Sequence, residues 1–178
     1  MRDYFLHSSR LGFGTWTADD RPLALSLWGD PDVTKLTGGP FSPEQVELRL
    51  AQELAHRQQH GIQYWPLFLL DTGDYVGCCG LRPRAGQDDA REMGYQLRPA
   101  FWGQGYAREA AGAAVAHAFT TLGLSELYAG HHPDNHRSRR ILESLGFHYT
   151  HHEIYPPTGL LEPCYRLRSI HYALRPPV

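Results

Sequence analysis

The feature that most constrains this chain is Leu97-Arg98-Pro99-Ala100-Phe101-Trp102-Gly103-Gln104-Gly105-Tyr106-Ala107. A strand-like run stops at Pro99, two glycines follow, and an alanine-rich stretch then runs on to Gly123. Proline ends the strand and the glycines permit a tight turn, so a helix must start inside the glycines. The first amides of a helix have no carbonyl partner, and they carry the positive end of its dipole. Glycine lets a bulky anion approach those amides closely, so the segment is a candidate phosphate site. It is not a Walker loop, because no Gly-Lys-Ser/Thr closes it. Nor is it a regular dinucleotide fingerprint, because Arg108 stands where a small residue is needed.

The rest of the chain surrounds this segment with alternating patterns. Leu11 to Thr17 reads as a strand, and Asp19 or Asp20 caps a helix to about Trp28. Ser42-Pro43-Glu44-Gln45 starts a second helix that ends near Gly61. Tyr64 to Leu70 and Tyr75 to Leu81 flank Asp71-Thr72-Gly73-Asp74 as a hairpin. Pro83 to Asp89 is expected to be a loop and Arg91 to Leu97 a strand. Gly103 to Thr121 is a long helix, and Leu127 to His131 a short strand. Asp134 or Asn135 caps a helix ending at Gly146, and strands at about Phe147 to Tyr155 and Cys164 to Ile170 follow. The predicted fold is α/β: one mixed, mostly antiparallel sheet of about seven strands flanked by about four helices. Residues 1–178 are expected to form one domain.

Composition excludes several functions. The 17 basic and 19 acidic residues leave a formal charge of −2, with no basic surplus for nucleic acid. No apolar run reaches the roughly 18 residues of a membrane span, and Met1 to His7 lacks a signal peptide's apolar stretch. The expected location is cytoplasmic. Three cysteines cannot all pair within the chain, and adjacent Cys78 and Cys79 point to opposite faces of a strand. They read as buried thiols, not as acyl carriers. The 11 histidines lack the spacing of a ligand set, so no metal is expected.

Downstream, Asn135-His136-Arg137-Ser138 continues to Leu145-Gly146-Phe147. This pattern resembles the Asn-x-x-Ser…Leu-Gly-Phe segment of the GNAT acetyltransferase superfamily. Gly-x-Gly-Tyr-Ala after Trp102 resembles that superfamily's acetyl-CoA loop, in the form found in the branch of ribosomal-protein N-terminal alanine acetyltransferases. The resemblance implies acetyl-CoA as co-substrate and a primary amine as acceptor, either a peptide N-terminus or a small molecule. A domain that binds acyl-CoA without catalysis is the alternative from another class. Either a monomer or a homodimer is compatible with it.

By the same resemblance, the amides of Gly103, Gln104, Gly105, Tyr106 and Ala107 hold the pyrophosphate. Main-chain groups around Leu97 pair with the pantetheine arm, and Arg98 or Arg108 supplies charge. Asn135 binds the coenzyme as well as capping its helix. Ser138 protonates the departing thiolate. Acetyl transfer also needs a neutral amine, whereas the ammonium form has a pKa of about 10 for lysine and about 8 for an α-amine. Glu92 is the expected base, with Glu153 as its alternative; His131 and His132 are read as structural.

Overall fold

The computed structural model describes residues 2–84 and 87–173. Eight strands form one sheet: β1 (Leu6–His7), β2 (Leu11–Phe13), β3 (Tyr64–Leu69), β4 (Tyr75–Arg84), β5 (Gln87–Leu97), β6 (Glu126–Gly130), β7 (His148–Tyr155) and β8 (Leu160–Arg168). Their order is β1-β2-β3-β4-β5-β6-β8-β7. The helices are α1 (Arg21–Trp28), α2 (Pro31–Thr34), α3 (Pro43–His60), α4 (Tyr106–Thr120), α5 (His136–Ser144) and α6 (Ser169–Ala173).

The mixed, mostly antiparallel α/β sheet is as expected, with three elements more than the pattern showed. β1 has two residues, too few for any periodicity, and α2 and α6 are single short turns. The first strand ends at Phe13 instead of Thr17, and the expected loop at Pro83–Asp89 is largely strand. β4 runs to Arg84 and β5 begins at Gln87; residues 85 and 86 lie outside the described ones.

Local chemistry sets the helix ends. At α3, the Ser42 hydroxyl accepts from the Gln45 amide, and the Gln45 side chain accepts from the Ser42 amide at 2.8 Å. Those reciprocal bonds satisfy two donors that the helix leaves unpaired. Gly61, in the left-handed region at φ 71°, ends the helix.

Whereas the edge strand β7 is exposed, the central strands are buried on both faces. On one, Ala110, Ala111, Ala114 and Ala118 of α4 are fully buried, so small side chains let the helix lie close against Val76, Leu81, Met93 and Leu127. On the other, Trp16, Trp28, Val46 and Leu50 pack α1 and α3 over Tyr64 and Cys78. Cys78 and Cys79 are free and buried in these opposite layers, as the strand period requires. Burial pushes the Cys78 thiol up to about 12, which suits packing and not nucleophilic chemistry.

One pairing differs from all others. β5 and β6 are the only parallel neighbours among the described strands, and a single residue pair joins them, Glu92 with Tyr128. Beyond that pair the two strands part, so the edges of β5 and β6 are unpaired there and a gap opens through the sheet.

Candidate active site

The gap leads into a cleft with a free volume of about 160 Å³. Tyr95, Asn135, Ser138 and Leu142 line it on the side of α4 and α5. Arg49, Tyr64, Arg82, Glu92, Tyr155 and Glu162 line it on the side of α3 and β7–β8. The cleft therefore joins the two faces of the sheet where β5 and β6 separate.

The glycine loop follows the open stretch of β5 in the chain and leads into α4. Gly103 and Gly105 both have left-handed backbones, at φ 76° and 84°, which side-chain-bearing residues adopt only at a cost. Gly105 caps α4 without any side-chain bond, and its carbonyl accepts from the Glu109 amide. The amides of residues 103 to 108 find no partner among the described residues. A row of unpaired amides at the start of a 15-residue helix is a built anion site.

The expected charges lie elsewhere. Arg98 donates to the Tyr75 carbonyl at 2.9 Å, away from the loop, and Arg108 donates to Ser144 Oγ at 3.2 Å, linking α4 to α5. The cation at the loop is Arg10, from the turn between β1 and β2. Its guanidinium donates to the Gln104 carbonyl at 3.2 Å, pairs with Glu109 at 2.7 Å and lies 4.2 Å from the centre of the Tyr106 ring. No local pattern marks Arg10, since a 94-residue separation joins it to the loop. Leu97 is on the open stretch of β5, but its carbonyl already accepts from the Trp102 indole at 2.7 Å. Main-chain pairing with a ligand strand is thus left to its neighbours on β5.

Asn135 caps α5, accepting from the Ser138 amide through Oδ1 at 3.1 Å. Its amide nitrogen makes no hydrogen bond among the described residues, and the residue lines the cleft. Ser138 is buried, and its Oγ lies 2.8 Å from the Tyr95 hydroxyl. Burial raises Tyr95 above its ordinary value, partly offset by that bond, so the phenol stays protonated at neutral pH and can donate. Tyr95 was not expected from sequence.

Glu92 faces the other compartment, on the strand face shared by Gly94 and Gln96. It is partly buried and forms no ion pair among the described residues. Burial raises its pKa, against the pull of Arg82 and Arg84 and with the help of Glu153. Glu153 is exposed, and Arg84 holds its carboxylate at 2.7 Å. A second carboxyl not foreseen in the pattern, Glu162, lies 7 % exposed in the same cleft. Burial pushes it up to about 6, with a bond from Thr158 opposing and Glu92 adding to the rise. His131 is buried and bonded to the His132 carbonyl at 2.8 Å.

One trio among the described residues has ligand atoms close together, His151, Glu153 and Cys164, within 4.8 Å. Arg84 already occupies Glu153, and burial pushes the Cys164 thiol up to about 11. No helix among the described residues is long and apolar enough to cross a membrane.

Comparison with known proteins bears on the same parts. Residues 10–148 match the family model described as acetyltransferase (GNAT) domain, which spans the loop, the gap and α5. An uncharacterized N-acetyltransferase p20 of Bacillus licheniformis is 28% identical over 144 residues, 80% of this chain and 81% of that one. An FsC-acetyl coenzyme A-N(2)-transacetylase of Aspergillus fumigatus is 30% identical over 173 residues, 88% of this chain and 72% of that one. The crystal structure of an acetyltransferase from Agrobacterium tumefaciens superposes with a TM-score of 0.79 at 25% identity, covering 94% of this chain and 98% of the other.

Proposed function

The chain belongs to the GNAT acetyltransferase family and is an acyltransferase, and from that premise we propose that it moves an acetyl group from acetyl-CoA to a primary amine in a ternary complex. The observation that carries this reading is the single cleft that passes between β5 and β6. The open edge of β5 that borders it runs on in the chain to a loop with six unpaired amides, and its other compartment holds a carboxyl without an ion pair. The pyrophosphate binds the amides of residues 103 to 108 beside Arg10, and the pantetheine arm follows the open edge of β5. Asn135 offers its free amide nitrogen to the coenzyme.

The thioester then lies in the gap near Tyr95 and Ser138, and the amine enters from the side of α3, β7 and β8. Glu92 accepts a proton from the amine, directly or through water. The neutral nitrogen attacks the thioester carbonyl, a C–N bond forms and the C–S bond breaks. The nitrogen's second proton leaves to water as the amide forms, and Ser138 gives the leaving thiolate a proton and is itself reprotonated from water through Tyr95. A carboxyl raised by burial is a stronger base than an ordinary one, which suits this step. The three buried, free cysteines suit a reducing, cytoplasmic setting.

The test is turnover. The purified chain is mixed with acetyl-CoA and a panel of amines: peptides beginning with Ala or Ser, amino acids and polyamines. Free thiol and acetylated product are both measured. Stoichiometric release of the two supports the reading. Tight acetyl-CoA binding with no thiol release from any amine would leave an acyl-CoA-binding domain instead.

A further inference from the structure

The amine side of the cleft contains charges that the protein does not match. Arg82 is paired with Glu53, which is fully buried, and Arg84 with Glu153. Arg49 is different. Its guanidinium donates one hydrogen bond, from Nη2 to Gln96 Oε1 at 2.9 Å, and forms no ion pair among the described residues. Its Nε is buried without a partner. The group stacks 4.7 Å from the centre of the Trp28 ring and 5.8 Å from that of Phe41, so it stands between apolar walls. Burial disfavours its charge, and the nearby Arg82 adds to that cost. Glu92 and Glu162 are likewise without ion pairs among the described residues, and all three groups act on the Tyr155 phenol from around it. The cleft is thus complementary to a molecule with a positive and a negative end.

We propose that the acceptor is an amine that also carries a carboxylate, with Arg49 binding the carboxylate and the Glu92 side receiving the ammonium. The inference rests on the transferase reading above. Spacing on β5 supports it. Gln96, which anchors Arg49, and Glu92 share one face, with Gly94 between them. At roughly 3.3 Å per residue, Gly94 lies about 7 Å along the strand from each. A Cβ on Gly94 would run into the Tyr64 hydroxyl, so that level of the cleft is narrow and lies at the edge of the gap. An amine held there has Glu92 on one side. A carboxylate a few bonds away reaches the free edge of the Arg49 fork on the other. Nε and Nη of one guanidinium bind a carboxylate through two parallel bonds, and the apolar walls strengthen them. A peptide N-terminus with a neutral first side chain offers Arg49 a neutral carbonyl but neither a charge nor a bidentate partner.

The experiment compares L-α-amino acids with their C-terminal amides and with capped peptides beginning in Ala or Ser. Turnover is measured with acetyl-CoA, and binding by calorimetry with coenzyme A present. Acids are expected to exceed matched amides in kcat/KM by about 100-fold or more, as for a desolvated charge pair. Arg49→Met keeps the stem against Trp28 and should abolish that preference without changing the Kd of acetyl-CoA; Arg49→Lys should restore part of it. Amides or capped peptides turned over as well as acids would overturn the proposal while leaving the transferase reading intact. So would an acid preference that survives in Arg49→Met. If no amine turns over, the transferase reading fails, and binding decides: acids bound by the wild type and lost in Arg49→Met support the anion site, and equal binding refutes it. If Arg49→Met does not fold, the wild-type ratio of acid to amide alone decides.

Discussion

The Tyr95 hydroxyl lies 2.8 Å from Ser138 Oγ, joining β5 to the first turn of α5 across the gap in the sheet. Asn135 holds that turn through the Ser138 amide at 3.1 Å. The helix cap and the strand therefore fix one hydroxyl pair from two sides, and neither side chain is free to turn to solvent. Such a pair can relay a proton in one direction only if both hydroxyls are present.

This relationship predicts coupling between substitutions. Ser138→Ala and Tyr95→Phe should each lower kcat by roughly 100- to 10,000-fold, the span of general acid catalysis. The double variant should be little worse than the poorer single one, because both remove one relay. Steady-state kinetics of the four proteins closes the cycle. Fully multiplicative losses would show two independent roles.

Gly105→Asp should abolish acetyl-CoA binding in calorimetry. It places a carboxylate where unpaired amides attract an anion, and it forces a left-handed backbone that costs about 1–2 kcal/mol outside glycine. Gly123→Asp is the control. Gly123 is also left-handed, at φ 67°, with open space around it, but it lies beyond the other end of α4. It should cost similar stability and leave the Kd unchanged. Equal weakening in both would assign the effect to strain, not to the anion site.

The loop was legible because its chemistry is local: strand end, glycines and helix start lie within 11 residues. The alternation of a strand likewise sets the face of Glu92, and Cys78 and Cys79 fall into opposite layers for the same reason. Asn135 was legible as one of two possible caps, and Ser138 only through the resemblance of Asn135-x-x-Ser138 to the family pattern; the structure adds the bond that joins them. Arg10, Arg49 and Glu162 were not, since tertiary packing alone brings Arg10 from a turn to the glycine loop, and Arg49 and Glu162 from a helix and a late strand to the cleft. Tyr95 was missed for a subtler reason. It points toward α4 and α5, not toward Glu92, and it reaches the cleft because a gap opens there. A one-pair parallel contact leaves no periodic signal in the chain.

Glu92→Gln should reduce kcat more than it changes the Kd of acetyl-CoA. In the wild type, burial raises Glu92, so kcat/KM should climb with pH through a limb above the ordinary carboxylate range. The variant should lack that limb and regain activity as the amine itself loses its proton toward pH 8 to 10, roughly the amine pKa values. A loss of only a few-fold with an unchanged profile would remove Glu92 from the proton transfer.

Glu162 ties the cleft to stability. Burial raises it from 4.5 to about 6, and Glu92 contributes to the rise. A carboxyl raised on folding binds its proton more tightly in the native state than in the unfolded one. Its contribution to stability is therefore whole below pH 4.5 and is lost as pH climbs through 6. A shift of this size corresponds to about 2 kcal/mol. Glu162→Gln cannot ionise, and its carbonyl can still accept from Thr158. The variant should match the wild type in urea denaturation near pH 4.5 and exceed it by about 2 kcal/mol above pH 7. Glu92→Gln should shrink that difference, because it removes the neighbouring charge that helps to raise Glu162. Equal stabilities at both pH values would mean that water reaches Glu162 as freely in the folded chain as in the unfolded one. A wild type that gained stability on Glu162 relative to the variant as pH rose would require a cation bound beside it in the cleft.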